Sequence, residues 1–107
     1  MLKFFIDKEF RKDLEFSEKI YTFFFSPSCG PCREIYSQVE DFGKNTDNLV
    51  YFIHEEEGKE LQEQLNVTAY PSMVLIQDKK ITRAGLGAEE VLNIINGKSD
   101  NWKRSWY

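Results

Sequence analysis

Two cysteines separated by a Gly-Pro pair, Cys29-Gly30-Pro31-Cys32, are the residues of this chain best suited to chemistry, and they are its only cysteines. On a helix that spacing puts the two sulfurs one turn apart. A Cys-x-x-Cys beside a strand-helix pattern marks a dithiol that cycles with a disulfide. The apolar run Ile20-Tyr21-Thr22-Phe23-Phe24-Phe25 just upstream supplies the strand. With Ser28 or Cys29 at the start of the following helix, the Cys29 sulfur meets unpaired N–H groups and the positive end of the helix dipole, both of which favour thiolate. Cys29 is therefore the expected nucleophile, and Cys32, one turn inside, the more buried resolving thiol. Gly30 leaves room for a substrate backbone, and Pro31 lacks an N–H that has no partner in a first helical turn. Exchange then runs in two displacements: Cys29 attacks a target disulfide, and Cys32 closes the 29–32 bridge as the target leaves.

Tyr70-Pro71 is the second candidate. A proline ahead of the apolar segment Ser72-Met73-Val74-Leu75-Ile76 belongs at the first position of a strand. X-Pro bonds are the ones for which cis is cheap. A cis bond here would turn the Tyr70 backbone groups outward to pair with an extended substrate, although the sequence leaves the isomer open. The substrate-contact candidates are thus Gly30, Pro31, Tyr70 and Pro71. A metal site would need more ligands than the two thiols and His54 provide, so no metal and no cofactor is expected. His54, followed by Glu55-Glu56-Glu57, reads as a solvated loop residue rather than a general base. The three glutamates read as a charged turn at a helix start, Arg33 as solvent-facing and Met73 as core.

The elements that must hold these groups alternate strand and helix, the pattern of an α/β layer. Leu2 to Phe5 predicts a first strand, with Asp7 capping a helix through Phe10 and Leu14. Lys19 to Phe25 predicts a central strand buried on both faces, in parallel pairing. After the cysteines, Ile35, Val39 and Phe42 mark a helical face, and Gly43 is placed as its left-handed stop. Leu49 to Ile53 predicts a third strand, and Leu61 with Leu65 a short helix leading to Asn66. Ser72 to Ile76 and Lys80 to Arg83 predict an antiparallel hairpin around Gln77-Asp78-Lys79. Ala88 to Asn96 is the expected last helix, with Gly97 its stop.

At 107 residues the chain is expected to form one domain, over 1–97, followed by a tail, 98–107. The tail carries Trp102, Trp106 and Tyr107 among Lys98, Lys103 and Arg104, which reads as packing on the domain, with a docking peptide as the alternative. An apolar share of 41%, with 15% aromatics, argues against a disordered chain. A net charge of −4 argues against a nucleic-acid partner. No run approaches the roughly 20 apolar residues of a membrane span, and the first residues lack the apolar core of a secretory signal. A cytoplasmic monomer is expected, and in a reducing compartment a cysteine pair is more often catalytic than a structural staple.

Cys29-Gly30-Pro31-Cys32, Val67-Thr68-Ala69-Tyr70-Pro71-Ser72 and Gly85-Leu86-Gly87, in that order and ahead of a final helix, resemble the thioredoxin family over residues 1 to about 97. The resemblance implies a thioredoxin fold, a central mixed sheet flanked by helices, with a cis Pro71 beside the dithiol. It also implies reduction of disulfide-containing protein substrates, and regeneration by a reductant such as a thioredoxin reductase. Against the family pattern, Ser28 stands where a Trp usually precedes the first cysteine, and Ser37 where a kinking Pro is common. Phe23 and Phe52 stand where a buried Asp and its Lys partner are usual. Two readings compete with a reductase: a disulfide oxidase or isomerase, and a redox-inactive interaction module or accessory subunit in which those substitutions reflect lost catalytic demand.

Overall fold

The computed structural model describes residues 1–97; the 98–107 tail and both readings of it lie outside the described residues. Nine elements follow in the order β1 (Leu2–Phe4), α1 (Asp7–Phe16), β2 (Lys19–Phe25), α2 (Gly30–Asn45), β3 (Leu49–His54), α3 (Lys59–Gln64), β4 (Ser72–Gln77), β5 (Lys80–Leu86) and α4 (Ala88–Ile95). The strands form one sheet in the order β1-β3-β2-β4-β5. β1, β3 and β2 run parallel, while β4 pairs antiparallel with both β2 and β5. The sheet is mixed and β2 is central, as its unbroken apolar run requires.

Side chains alternate across a strand, so each central strand feeds two cores. Tyr21 and Phe23 of β2, Val50 and Phe52 of β3, and Met73 and Leu75 of β4 pack against Ile35 and Val39 of α2 and Val91 and Ile94 of α4. On the opposite face Ile20, Phe24, Tyr51, Ile53, Val74 and Ile76 meet Phe10 and Leu14 of α1 and Leu61 of α3. Thr22, fully buried on the Ile20 and Phe24 face of β2, donates its hydroxyl to the Val74 carbonyl at 2.8 Å and so leaves no orphan polar atom.

Several expectations are corrected. Asp7 is the first helical residue of α1 rather than its cap: Ile6 holds the cap position and makes no side-chain cap bond. The Asp7 carboxylate instead accepts from Arg11 Nε at 2.8 Å. Gly43 does not end α2, which runs unbroken through Ser37 to Asn45. Its glycine serves packing, because a Cβ at position 43 would lie 3.2 Å from the Leu2 Cβ on β1. β5 extends beyond Arg83 to Leu86, carried by ladder pairing with β4 rather than by an apolar pattern. Gly85 lets α4 close over that strand, since a Cβ there would approach the Ile94 Cδ1 to 2.9 Å. The hairpin turn is made by Asp78 and Lys79, both at positive φ, a geometry that suits a two-residue connection. Gly97 follows α4 at φ +70, as a left-handed stop.

Candidate functional site

β2 delivers the chain to the site. From its last residue, Phe25, the backbone turns through buried Ser26, whose hydroxyl lies 3.0 Å from that of Ser28 and whose carbonyl accepts from the Cys29 N–H at 3.1 Å. Cys29 takes the cap position of α2, and its Sγ accepts from the Cys32 N–H at 3.2 Å. The sulfur thus stands where side-chain oxygens usually cap helices, against one of the orphan donors of the first turn. Pro31 lies in that first turn and is exposed; the space a Cβ would fill at Gly30 is open. Cys29 and Cys32 are joined by a disulfide, with their Cα atoms 5.3 Å apart, so the structure is that of the oxidised form. Cys29 is half-buried, whereas Cys32 is only 1% exposed.

The face of α2 that carries Cys32 continues into a cluster of rings. Tyr36, one turn on, stands on the same helical face and packs its ring 5.1 Å from Phe52 and 5.5 Å from Phe25. Phe23 and Phe52 are register neighbours on β2 and β3, with ring centroids 5.2 Å apart, and both are buried. Burial, with a smaller contribution from Glu40, raises the Tyr36 phenol above its ordinary range. His54 is less solvated than expected. It ends β3, half-buried, with its ring edge-on to Phe25 at 5.7 Å and its Nδ1 accepting from the Glu56 N–H at 3.1 Å. Arg33 is exposed and Met73 fully buried, as read.

Phe24 pairs with Ser72, which sets Pro71 beside the end of β2, the strand that runs into the cysteine loop. The Tyr70-Pro71 bond is cis. Pro71 is buried and its carbonyl accepts from the Gly87 N–H at 2.8 Å, where Gly87 adopts φ +91. No hydrogen bond among the described residues engages the Tyr70 N–H or C=O. The Cys29–Cys32 pair, which follows β2, and Tyr70-Pro71, which precedes β4, therefore lie at the same end of two neighbouring strands.

One residue here carried no signal in the sequence. Gln62, buried in α3, donates from Nε2 to the Glu55 carbonyl at 3.1 Å and accepts from the Tyr70 hydroxyl. One of two glutamines between Leu61 and Leu65, it reads as an ordinary polar helix position, and only the tertiary structure shows its partners. Among the described residues, no group of three His, Cys, Asp or Glu side chains is placed to hold a metal ion.

The family model described as Thioredoxin matches residues 2–97. Among solved structures, reduced thioredoxin pre-protein from Schistosoma mansoni superposes with a TM-score of 0.78 at 20% identity, covering 92% of this chain and 98% of that one. Thioredoxin f2 of Chlamydomonas reinhardtii gives a TM-score of 0.75 at 24% identity, covering 91% and 95%. Fasciola hepatica thioredoxin gives 0.71 at 26% identity, covering 87% and 92%. A search of curated proteins found no match.

Proposed function

Because the chain belongs to the thioredoxin family and has its fold, we propose that it is a protein-disulfide reductase working through Cys29 and Cys32. A thiol-disulfide oxidoreductase is the general class that the family and the close cysteine pair support. The observation that carries the finer reading is the asymmetry of the pair: the Cys29 sulfur caps α2 within reach of solvent, while Cys32 is sealed beneath it. The helix end stabilises a Cys29 thiolate. That thiolate attacks one sulfur of a target disulfide, and the target's other sulfur leaves as a thiolate. Cys32 then gives up its proton and attacks the Cys29 sulfur, closing the 29–32 bridge and releasing the second target thiolate. Two electrons pass to the target, and an external dithiol reductant of the kind that serves this family reopens the bridge.

In this reading Gly30 and Pro31 form the open rim over Cys29, and the unpaired Tyr70 backbone beside Pro71 offers an edge for an extended substrate strand. Cysteines used only as this pair suit a reducing, cytoplasmic setting. No helix among the described residues is long and apolar enough to cross a membrane.

The test is dithiothreitol-driven reduction of a disulfide protein by wild type, Cys29→Ser and Cys32→Ser. Turnover is expected in wild type only, with Cys32→Ser accumulating a mixed disulfide through Cys29. The buried Phe23–Phe52 pair favours a second reading, an interaction module without turnover. Wild type that reduces nothing under these conditions selects that reading.

A further inference from the structure

Tyr70 combines two properties: among the described residues its backbone is unpaired, yet its side chain is tied down. The tie is a chain of hydrogen bonds. The Tyr70 hydroxyl donates to Gln62 Oε1, Gln62 Nε2 donates to the Glu55 carbonyl at 3.1 Å, and the Glu55 N–H donates to the carbonyl of Phe25, the last residue of β2, at 3.0 Å. Gln62 also holds the start of the same loop, because its backbone carbonyl accepts from the Val67 N–H at 2.8 Å. Both ends of the 67–70 segment are therefore fastened to one buried residue of α3, while Thr68 and Ala69 between them are exposed.

We propose that Gln62 is a positioning residue for substrate: through the Tyr70 hydroxyl it holds the backbone before Pro71 at a fixed place relative to the end of β2, and hence to Cys29. The proposal rests on the reductase reading above. A strand that pairs with an already ordered edge loses less conformational freedom than one that must order it, so the effect falls on binding of extended protein substrates. A small disulfide that needs only the Cys29 sulfur gains nothing from the arrangement. Burial raises the Tyr70 phenol above its ordinary range, which keeps it a donor at neutral pH.

The experiment compares the full chain with Gln62→Met, which keeps most of the side-chain volume and removes both amide contacts. KM and kcat are measured for dithiothreitol-driven reduction of insulin disulfides. Alongside them go the rate of reduction of the small disulfide dithiobis(nitrobenzoate) and a thermal melt. KM for insulin is expected to rise about threefold to tenfold, the size expected for loss of one neutral hydrogen bond, while kcat and the small-disulfide rate stay at wild-type values. Tyr70→Phe, which removes the hydroxyl alone, raises KM by a similar factor and serves even where Gln62→Met folds poorly. The double variant raises KM no further than either single change, since either one already breaks the Tyr70–Gln62 bond through which the effect runs. A lowered melting temperature with KM unchanged, equal losses on both substrates, or multiplying effects in the double variant overturns the proposal. Wild type that reduces the small disulfide but not insulin removes the reductase reading and this proposal with it, so the two failures are distinct.

Discussion

Cys32 must shed a proton before it can resolve a mixed disulfide, and its surroundings do little to help. It is 1% exposed, and the helical face it shares with Tyr36 leads into a cluster of the Phe23, Phe25, Tyr36 and Phe52 rings. Two titratable groups lie within or beside that cluster, Tyr36 and His54. Tyr36 is raised by burial and stays protonated at neutral pH, and the His54 Nδ1 already accepts from the Glu56 N–H. Burial among apolar groups disfavours the thiolate. The second displacement is therefore expected to be slower than the first at neutral pH, and to accelerate as the pH rises toward the ordinary thiol range near about 8.5. Stopped-flow mixing of reduced protein with a protein disulfide, read for the mixed disulfide across pH, checks this; a second step that outruns the first at pH 7 refutes it. The Phe23–Phe52 contact was half legible in advance. Counting along the sequence identified both positions, but only the strand register shows that they are neighbours.

The same register logic joins the elements through a polar contact on the other face of the sheet. Asp13 of α1 accepts from the Tyr51 hydroxyl of β3 and from Lys3 Nζ of β1 at 2.9 Å. Burial pushes the Asp13 carboxyl up, but the two donated hydrogen bonds and the charges of Lys3 and Lys12 together outweigh it and hold the carboxyl below its ordinary value. A carboxylate lowered on folding adds stability above its unfolded pKa of about 3.9 and loses it as the pH falls through the folded value. Asp13→Asn is thus expected to be less stable than wild type by about 1–3 kcal/mol at pH 7 in urea unfolding, with the gap closing in acid. A gap of the same size at pH 7 and below about pH 3 would contradict the assignment. Elements of this kind were read well where apolar spacing carries the information, as in β2, β3 and β4, because those strands feed both cores. They were read poorly where backbone proximity decides. Gly43 resembled a helix stop and proved to be a gap for Leu2, and β5 continues to Leu86 through pairing that its exposed side chains do not announce. The cysteine pair and Tyr70-Pro71 were legible because their types and spacing carry the chemistry. Gln62 was not, since a buried glutamine is specified by partners distant in sequence.

Both cores share the central strands, so the domain is expected to unfold as one unit, and a local change in the 29–32 bridge becomes readable in global stability. Redox direction is then a question of which form the fold favours. If folding favours the disulfide over the dithiol, the bridge has a lower potential in the native state than in the unfolded chain, and the protein acts as a reductant. If folding favours the dithiol, it acts as an oxidant. Two effects compete here. The end of α2 stabilises a Cys29 thiolate, which favours the reduced form by about 0.3–1 kcal/mol for an interaction with a helix terminus. Against it, folding holds the two sulfurs together with Cys32 buried, so the native bridge closes without the chain ordering it costs the unfolded state. The second effect is expected to win, making oxidised protein more stable than reduced by about 1.4 kcal/mol or more, equivalent to about 30 mV. For a domain of this size that corresponds to a melting temperature higher by roughly 5–10 °C. Melts of the oxidised form, and of protein held in excess dithiothreitol, measure the difference directly. A reduced form that melts higher would make the protein an oxidant and overturn the reductase reading, even with both cysteines shown to be essential.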